Sequence, residues 1–579
     1  MENFDYGLSL EELEKRTDKE YLTDKKMLTP ESVEYLELGE NDKKALKHLV
    51  KAAFILEKIN KRLDNKKNLA FEEWLNQNIE KGDRQAELTK ILYDAQKGIC
   101  AVDTESNKIS LEKNTKELKG KGFYPEDLSV EEFHKILIKM LNENKINEVK
   151  KILNQRSVIE RKEDELTAID YVDYFKEDFK LTADELIKAS EVSTDKDFNE
   201  FLKLQSEALL KADPMLDAYA DKKWASLQDT PLEFTITREN YHDEMTETVV
   251  ENEELKNLLD KFQITPVSKD ALGGRVGIVN KKGTEALLKI KKYLPKLASL
   301  MPYNNEYEQN IKPDGENETD ETKQTMVDVD LVSVMGDVGE FRGGITLAEN
   351  LPNNDKLSLT VGGGRRNVYH RQIRVSDPVK LQKRLDAILD KDQHKFYLDE
   401  ADHWFTIGHE NAHSLGPNKG TEALGKYTSI IEENKADMGS LAFVDELVKL
   451  GYYTKEQRIQ VIVTFVADNF LKSKPQFAQA HRVRSVMQNY FLFKEGAYNL
   501  TTDNKIHVNI DKVVPAAYKM LEKIIHVQLS GDFKEGENYV LSNFIWTDEM
   551  EIIANKLKEV NKTLNGRVIA ALQDKLLTD

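Results

Sequence analysis

Apolar positions recur at helical spacing through residues 1 to about 225. Leu46, Leu49, Val50, Ala53, Phe54 and Leu56 fall along one helix face, and similar patterns run through Leu88–Ala95 and Phe133–Leu141. Breakers are few and charges are dense, as on solvated helix faces. No repeat of about 20–50 residues is present, and no long low-complexity tract. The pattern changes near Pro231. Leu232–Thr237, Ile264–Pro266 and Gly274–Val279 read as strands, followed by a helix over Thr284–Leu300. Tyr303–Thr325 is polar and reads as a loop or linker. Met326–Met335 and Phe341–Ala348 again read as strands, so a β-containing core is predicted between about 230 and 365.

Gly362, Gly363 and Gly364 read as a flexible turn after that core. They lack the Lys-Ser/Thr and the glycine spacing of phosphate-binding loops, so phosphate binding is not expected. From Asp377 onward the pattern is helical again. Asp377-Pro378 opens one helix, and Phe396–His413 is a second, stopped by Gly416-Pro417. Ser429–Leu450 and Phe477–Lys494 follow, stopped by Gly451 and Gly496. The predicted class is α+β, mainly helical.

Composition narrows this picture modestly. At 579 residues, 40% hydrophobic and 32% charged, the chain can form two or more domains or lobes. No stretch approaches the roughly 20 apolar residues that span a bilayer. The N-terminus has neither a basic region nor an apolar core, so no signal peptide is expected. The single cysteine, Cys100, excludes an intrachain disulfide and reads as a small buried residue rather than a nucleophile. A reducing, cytoplasmic setting is therefore expected. A net charge of −19 disfavours nucleic-acid binding. It serves solubility, or it attracts cationic ligands such as a peptide ammonium. No obligate protein partner is evident.

The candidate chemistry lies in the second helical half. The segment Phe405-Thr-Ile-Gly-His409-Glu410-Asn-Ala-His413 puts two histidines one turn apart on one helix face, so both can reach one ion. Zn²⁺ favours such nitrogen ligands, and catalytic zinc sites usually add a third protein ligand and leave one position open. Zinc lowers the pKa of water toward about 7, and the Glu410 carboxylate is placed to take the proton. Two ordinary surface histidines on a charged helix are the bland alternative. A second segment, Ser429-Ile-Ile-Glu432-Glu433-Asn-Lys-Ala-Asp437, argues against it. Glu433 can complete a His-His-Glu set, while Glu432 and Asp437 can accept the histidines' other N–H groups. Ser429 and Glu432 also match a capping box, which would explain Glu432 but no third ligand.

Together these residues resemble the dipeptidyl peptidase III family, whose zinc helix is followed by a Glu-Glu-x-Lys/Arg-Ala-Glu/Asp segment. Glu239-Asn240-Tyr241 is similar to the family's Glu-x-Tyr, Asn350-Leu-Pro-Asn353 to its Asn-x-Pro-Asn, and Gln479-Ala480-His481 to its Gln-Ala-His. The matches cover about residues 230 to 500, in the family's order. The resemblance implies Glu433 as zinc ligand, with Glu432 and Asp437 buttressing the histidines. It implies Tyr241 and His481 at the oxyanion, and Glu239, Asn350 and Asn353 at the substrate's N-terminal end. The chain departs from the better-known members in having three residues between the histidines, as in a shorter branch of the family. The family's arginine falls four residues after the Gln-Ala-His histidine; here Ser485 stands there and Arg484 one place earlier, as a candidate substrate contact.

The implied fold has two lobes around a wide cleft: a helical zinc lobe, and a substrate lobe with a β-barrel-like core and a peptide-binding edge at Phe341–Ala348. The expected division is 1–258, a helical region leading into the β-containing lobe; 259–325, helical-lobe segment and linker; 326–375, the β-core; and 376–579, the zinc lobe. The implied activity is release of dipeptides from the N-terminus of short peptides, with one Zn²⁺. A zinc endopeptidase or aminopeptidase is the first alternative. A peptide-binding protein with a structural zinc is the second.

Overall fold

The longest N-terminal helix, α1, spans Glu40–Asp64. It buries Leu46, Leu49, Val50, Ala53 and Leu56, positions at helical spacing in the sequence, with Phe54 packed at the margin. Glu40 and Asp42 begin it and Lys61 and Arg62 end it, as the helix dipole favours. The computed structural model describes the chain apart from residues 1–3, 106, 116–117, 212, 239–242, 310, 312–323, 336–338, 340–347, 352–360, 362–364, 372–377 and 418.

The N-terminal region is not purely helical. Short ladders join Cys100–Val102 to Lys108–Ser110 and Ser157–Lys162 to Glu165–Asp170. These strands are only three to six residues long, so they leave little alternation to read. Cys100 is half-buried rather than buried. Leu22–Lys26 pairs in parallel with Asn565–Ile569, a partner that no local pattern announces.

Five strands form the central sheet: β1 (Leu232–Arg238), β2 (Leu272–Val279), β3 (Gln324–Met335), β4 (Ala348–Leu351) and β5 (Arg365–Arg371). Their order is β1-β2-β3-β5-β4, with β3 and β5 parallel and the other neighbours antiparallel. Ile264–Pro266 is not a strand; Ile264 N–H bonds to Leu259 O (2.9 Å) as helix Glu253–Lys261 unwinds. The helix expected over Thr284–Leu300 divides into Lys281–Lys291 and Leu294–Ser299, with Pro295 in the first turn of the second. Of Phe341–Ala348, only Ala348 is among the described residues, where it begins the edge strand β4.

The expected barrel-like core is corrected to an open sheet. Among the described residues β1 and β4 are its two edges and do not pair with each other. Helix α1 packs on this sheet, with Asn60 Oδ1 accepting the Leu272 N–H (3.1 Å). Strand β5, missed in the sequence, is central despite its charge. Its Arg366 is fully buried, pairs with Glu233 Oε2 at 2.6 Å, donates to Thr325 Oγ1 at 3.2 Å and stacks over Trp224.

Two large apolar clusters flank this sheet. One joins the N-terminal helices, the sheet and the tail residues Ala570, Leu572 and Leu576. The other joins helices between Leu287 and Leu557. Neighbours Val368 and Tyr369 of β5 enter different clusters because successive strand side chains point to opposite faces. No helix among the described residues is long and apolar enough to cross a membrane.

Candidate metal centre

Four helices of the second cluster build the site: α2 (Asp399–His413), α3 (Thr428–Ala442), α4 (Ala480–Lys494) and α5 (Ile510–Ser530). Helix α2 starts with Asp399, Glu400 and Asp402, which suit a helix N-terminus, and ends before Gly416 at φ 92°. Helices α2 and α3 meet through small residues. A Cβ on Gly408 would stand 2.3 Å from Ser440 Oγ, and one on Gly439 would stand 2.8 Å from the Ala412 Cβ. This close approach lets a glutamate on α3 reach the histidines on α2. Gly439→Val is expected to push the helices apart, costing about 1–3 kcal/mol by overpacking. Thermal unfolding and zinc content should both fall, and unchanged zinc content would refute the link.

The ligand atoms of His409, His413 and Glu433 lie within 4.8 Å of one another, and this group could hold a metal ion. His409 Nδ1 lies 2.7 Å from Asp437 Oδ1, and His413 Nδ1 lies 2.8 Å from Glu432 Oε1. A carboxylate can only accept, so each Nδ1 carries a proton and each ring turns its Nε2 toward the site. Those Nε2 atoms face each other at 3.1 Å, and Glu433 Oε2 lies 3.5 Å from that of His409. Glu433 Oε2 is buried. Two imidazole nitrogens and a carboxylate oxygen converging on one place are a donor set that fits Zn²⁺.

Glu410 is buried, with Oε1 3.8 Å from His409 Nε2. The residue after it, Asn411, ties the metal helix to the sheet: its Nδ2 donates to Tyr369 Oη (3.0 Å), which donates to Ile407 O (3.3 Å). His481 Nδ1 lies 3.1 Å from Glu433 Oε2. Burial would lower the His481 pKa, but the Glu433 charge overrides it and raises it. Burial would raise the carboxyls here, yet nearby cations prevail. Lys435 and the His413 hydrogen bond bring Glu432 down to about 2. The charge of Arg484 lowers Asp437, and His481 holds Glu433 well below the usual range.

His409, His413, Glu433, Glu410, Glu432, Asp437 and His481 come together, with Asp437 on His409 and Glu432 on His413. The capping-box reading of Glu432 fails, since α3 begins at Thr428 with Ser429 inside it. The guanidinium of Arg484, the candidate substrate contact, pairs with Asp437 Oδ2. Asn350 pairs its backbone with Asn367 on β5, while its side chain lies outside the described part. Glu239, Tyr241 and Asn353 lie outside the described residues. Lys435 within the acidic segment, and Gln488 and Gln528, were not anticipated. Only Lys435, three residues after Glu432, had a local signal.

No family model matches the chain. Nudix hydrolase 3 of Arabidopsis thaliana is 23% identical over 434 residues, covering 71% of this chain and 52% of its own length. The chain thus spans about half the length of that curated relative. Two solved structures match throughout. Dipeptidyl peptidase III of Caldithrix abyssi superposes with a TM-score of 0.76 at 24% identity, over 97% of this chain and 100% of that one. The chain has the dipeptidyl peptidase III fold. The enzyme from Corallococcus sp. strain EGB gives the same TM-score, 0.76, at 20% identity, over 100% and 99% of the two chains. Within the dipeptidyl peptidase III fold of this chain, the His-His-Glu group is the metal-ligand cluster found among the described residues.

Proposed function

We propose that this chain is a zinc-dependent exopeptidase of the dipeptidyl peptidase III family, in its five-residue-motif branch, releasing dipeptides from the N-terminus of short peptides. The observation that carries the proposal is the convergent His409–His413–Glu433 set beside a buried Glu410, on a chain with this fold. Zinc held there would act as a Lewis acid toward water and the scissile carbonyl. Glu410 takes the proton from the attacking water and returns it to the leaving amine. His481, protonated beside Glu433, and Tyr241 donate to the developing oxyanion. Glu239 and the side-chain carbonyls of Asn350 and Asn353 accept from the substrate ammonium. The peptide lies along the edge strand β4, where main-chain pairing tolerates many sequences.

This reading includes two lobes that close over a cleft to bring Tyr241 to the metal. It keeps the sequence-based division at about residues 258, 325 and 375, with the tail from Asn565 joining the N-terminal region because it packs there. A cytoplasmic setting, without membrane or nucleic-acid partners, belongs to the same proposal. A structural zinc is disfavoured, because a closed structural site has no use for a base and Glu410 lies beside the ligand group.

Cleavage of matched peptides with free and acetylated N-termini, with and without chelator, tests the proposal. Acetylation removes two or more charge-assisted hydrogen bonds worth about 1.5–3 kcal/mol each, so kcat/KM should fall by at least about a hundredfold. Dipeptides should be the first products, and chelator should stop the reaction. Rapid cutting of the acetylated peptide would instead identify an endopeptidase, and release of single residues an aminopeptidase.

A further inference from the structure

Behind each metal histidine stands a carboxylate, and behind each carboxylate stand one cation and one glutamine. Asp437 Oδ2 pairs with Arg484 and accepts from Gln488 Nε2 at 3.0 Å. Glu432 pairs through Oε1 with Lys435 Nζ at 2.8 Å, and its Oε2 accepts from Gln528 Nε2 at 2.9 Å. The cations settle the charge. Lys435 lies against Glu432 and Arg484 against Asp437, each offsetting the charge of its carboxylate.

The glutamines add no charge, so their contribution is direction. Gln488 is fully buried, and its amide is fixed because Oε1 accepts from Asn469 Nδ2 at 3.0 Å. Gln528 is also buried, yet its Oε1 has no hydrogen-bond partner. A glutamine kept only for packing would satisfy both ends or be replaced by an apolar residue, since an unpaired buried carbonyl costs about 1–3 kcal/mol. Only the N–H aimed at Glu432 is used. The flipped amide would set its oxygen against a carboxylate, so the orientation is forced.

We infer that Gln528 and Gln488 are positioning residues of the metal site: each locks one carboxylate so that its histidine keeps the Nδ1–H form and presents Nε2 to the ion. This rests on the metal reading above. Partners behind metal ligands typically govern about 10–100-fold in affinity. These two act one contact further out, so about tenfold is expected.

The test compares Gln528→Met and Gln488→Met with Gln393→Met, a buried glutamine in the same half that bonds only the Val508 backbone (2.8 Å). Zinc affinity is read by chelator competition, site geometry by the visible bands of the cobalt-loaded protein, and folding by thermal unfolding of the metal-free chain. Both site variants should lose about tenfold in zinc affinity and shift the cobalt bands. Gln393→Met should lower thermal stability alone. If the site variants match Gln393→Met in all three readouts, the inference is wrong. Should Gln488→Met fail to fold, Gln528→Met on the other histidine decides alone. If the wild-type chain binds no zinc, the metal reading itself has failed, which the variants do not affect.

Discussion

Glu410→Gln should cut kcat by about 10²–10⁴-fold, the range a general acid–base contributes, while the protein still binds one zinc per chain. The expectation follows from placement. Glu410 sits next to His409 in sequence, yet its Oε1 is 3.8 Å from His409 Nε2 and it is not in the three-residue ligand group. It is close enough to serve a water at the ion without holding the ion. Glutamine keeps the shape and removes only the ability to take a proton, so KM should change little and the loss should fall on kcat. Rates on an unblocked dipeptidyl substrate, with zinc measured on the same sample, check both halves. Full activity in the variant would end the base assignment. Loss of zinc would instead make Glu410 a ligand.

The parts of this site that the sequence made legible are those fixed by short spacings. Two histidines one turn apart, and Glu432, Glu433 and Asp437 within two turns, can be placed by helix geometry alone. What packing decides was not legible. Gln488 and Gln528 reach the site because α4 and α5 pack against α3, and nothing near them in sequence says so. Arg484 looked like a displaced substrate contact. One residue is about 100° around a helix, and that step turns it toward Asp437.

The fold was legible in the same uneven way. Strands β2 and β3 show as branched, apolar runs. Strand β5 reads as polar because the buried Arg366 is satisfied by partners far away in the chain, among them Glu233. The barrel came with the family resemblance rather than from any spacing, and the open sheet under α1 replaces it. Glu239, Tyr241 and Asn353, outside the described residues, rest on sequence alone.

Glu433→Ala should abolish stoichiometric zinc binding, a loss beyond the roughly 10–100-fold that attends removal of a partner behind a ligand. Glu432 and Asp437 are not free to replace it, being committed to the two Nδ1–H groups and to their own cations and glutamines. Helix α3 cannot slide to offer a new one while Gly408 and Gly439 hold it against α2. The consequence reaches stability as well as activity. A ligand that binds only the folded chain stabilises it by RT ln(1 + [L]/Kd), about 4 kcal/mol at a thousandfold excess over Kd. The wild-type melting temperature should therefore rise on zinc addition, and that rise should vanish in the variant. A zinc-dependent rise that survived intact in Glu433→Ala would place the ion elsewhere, and the two-helix site would have to be abandoned.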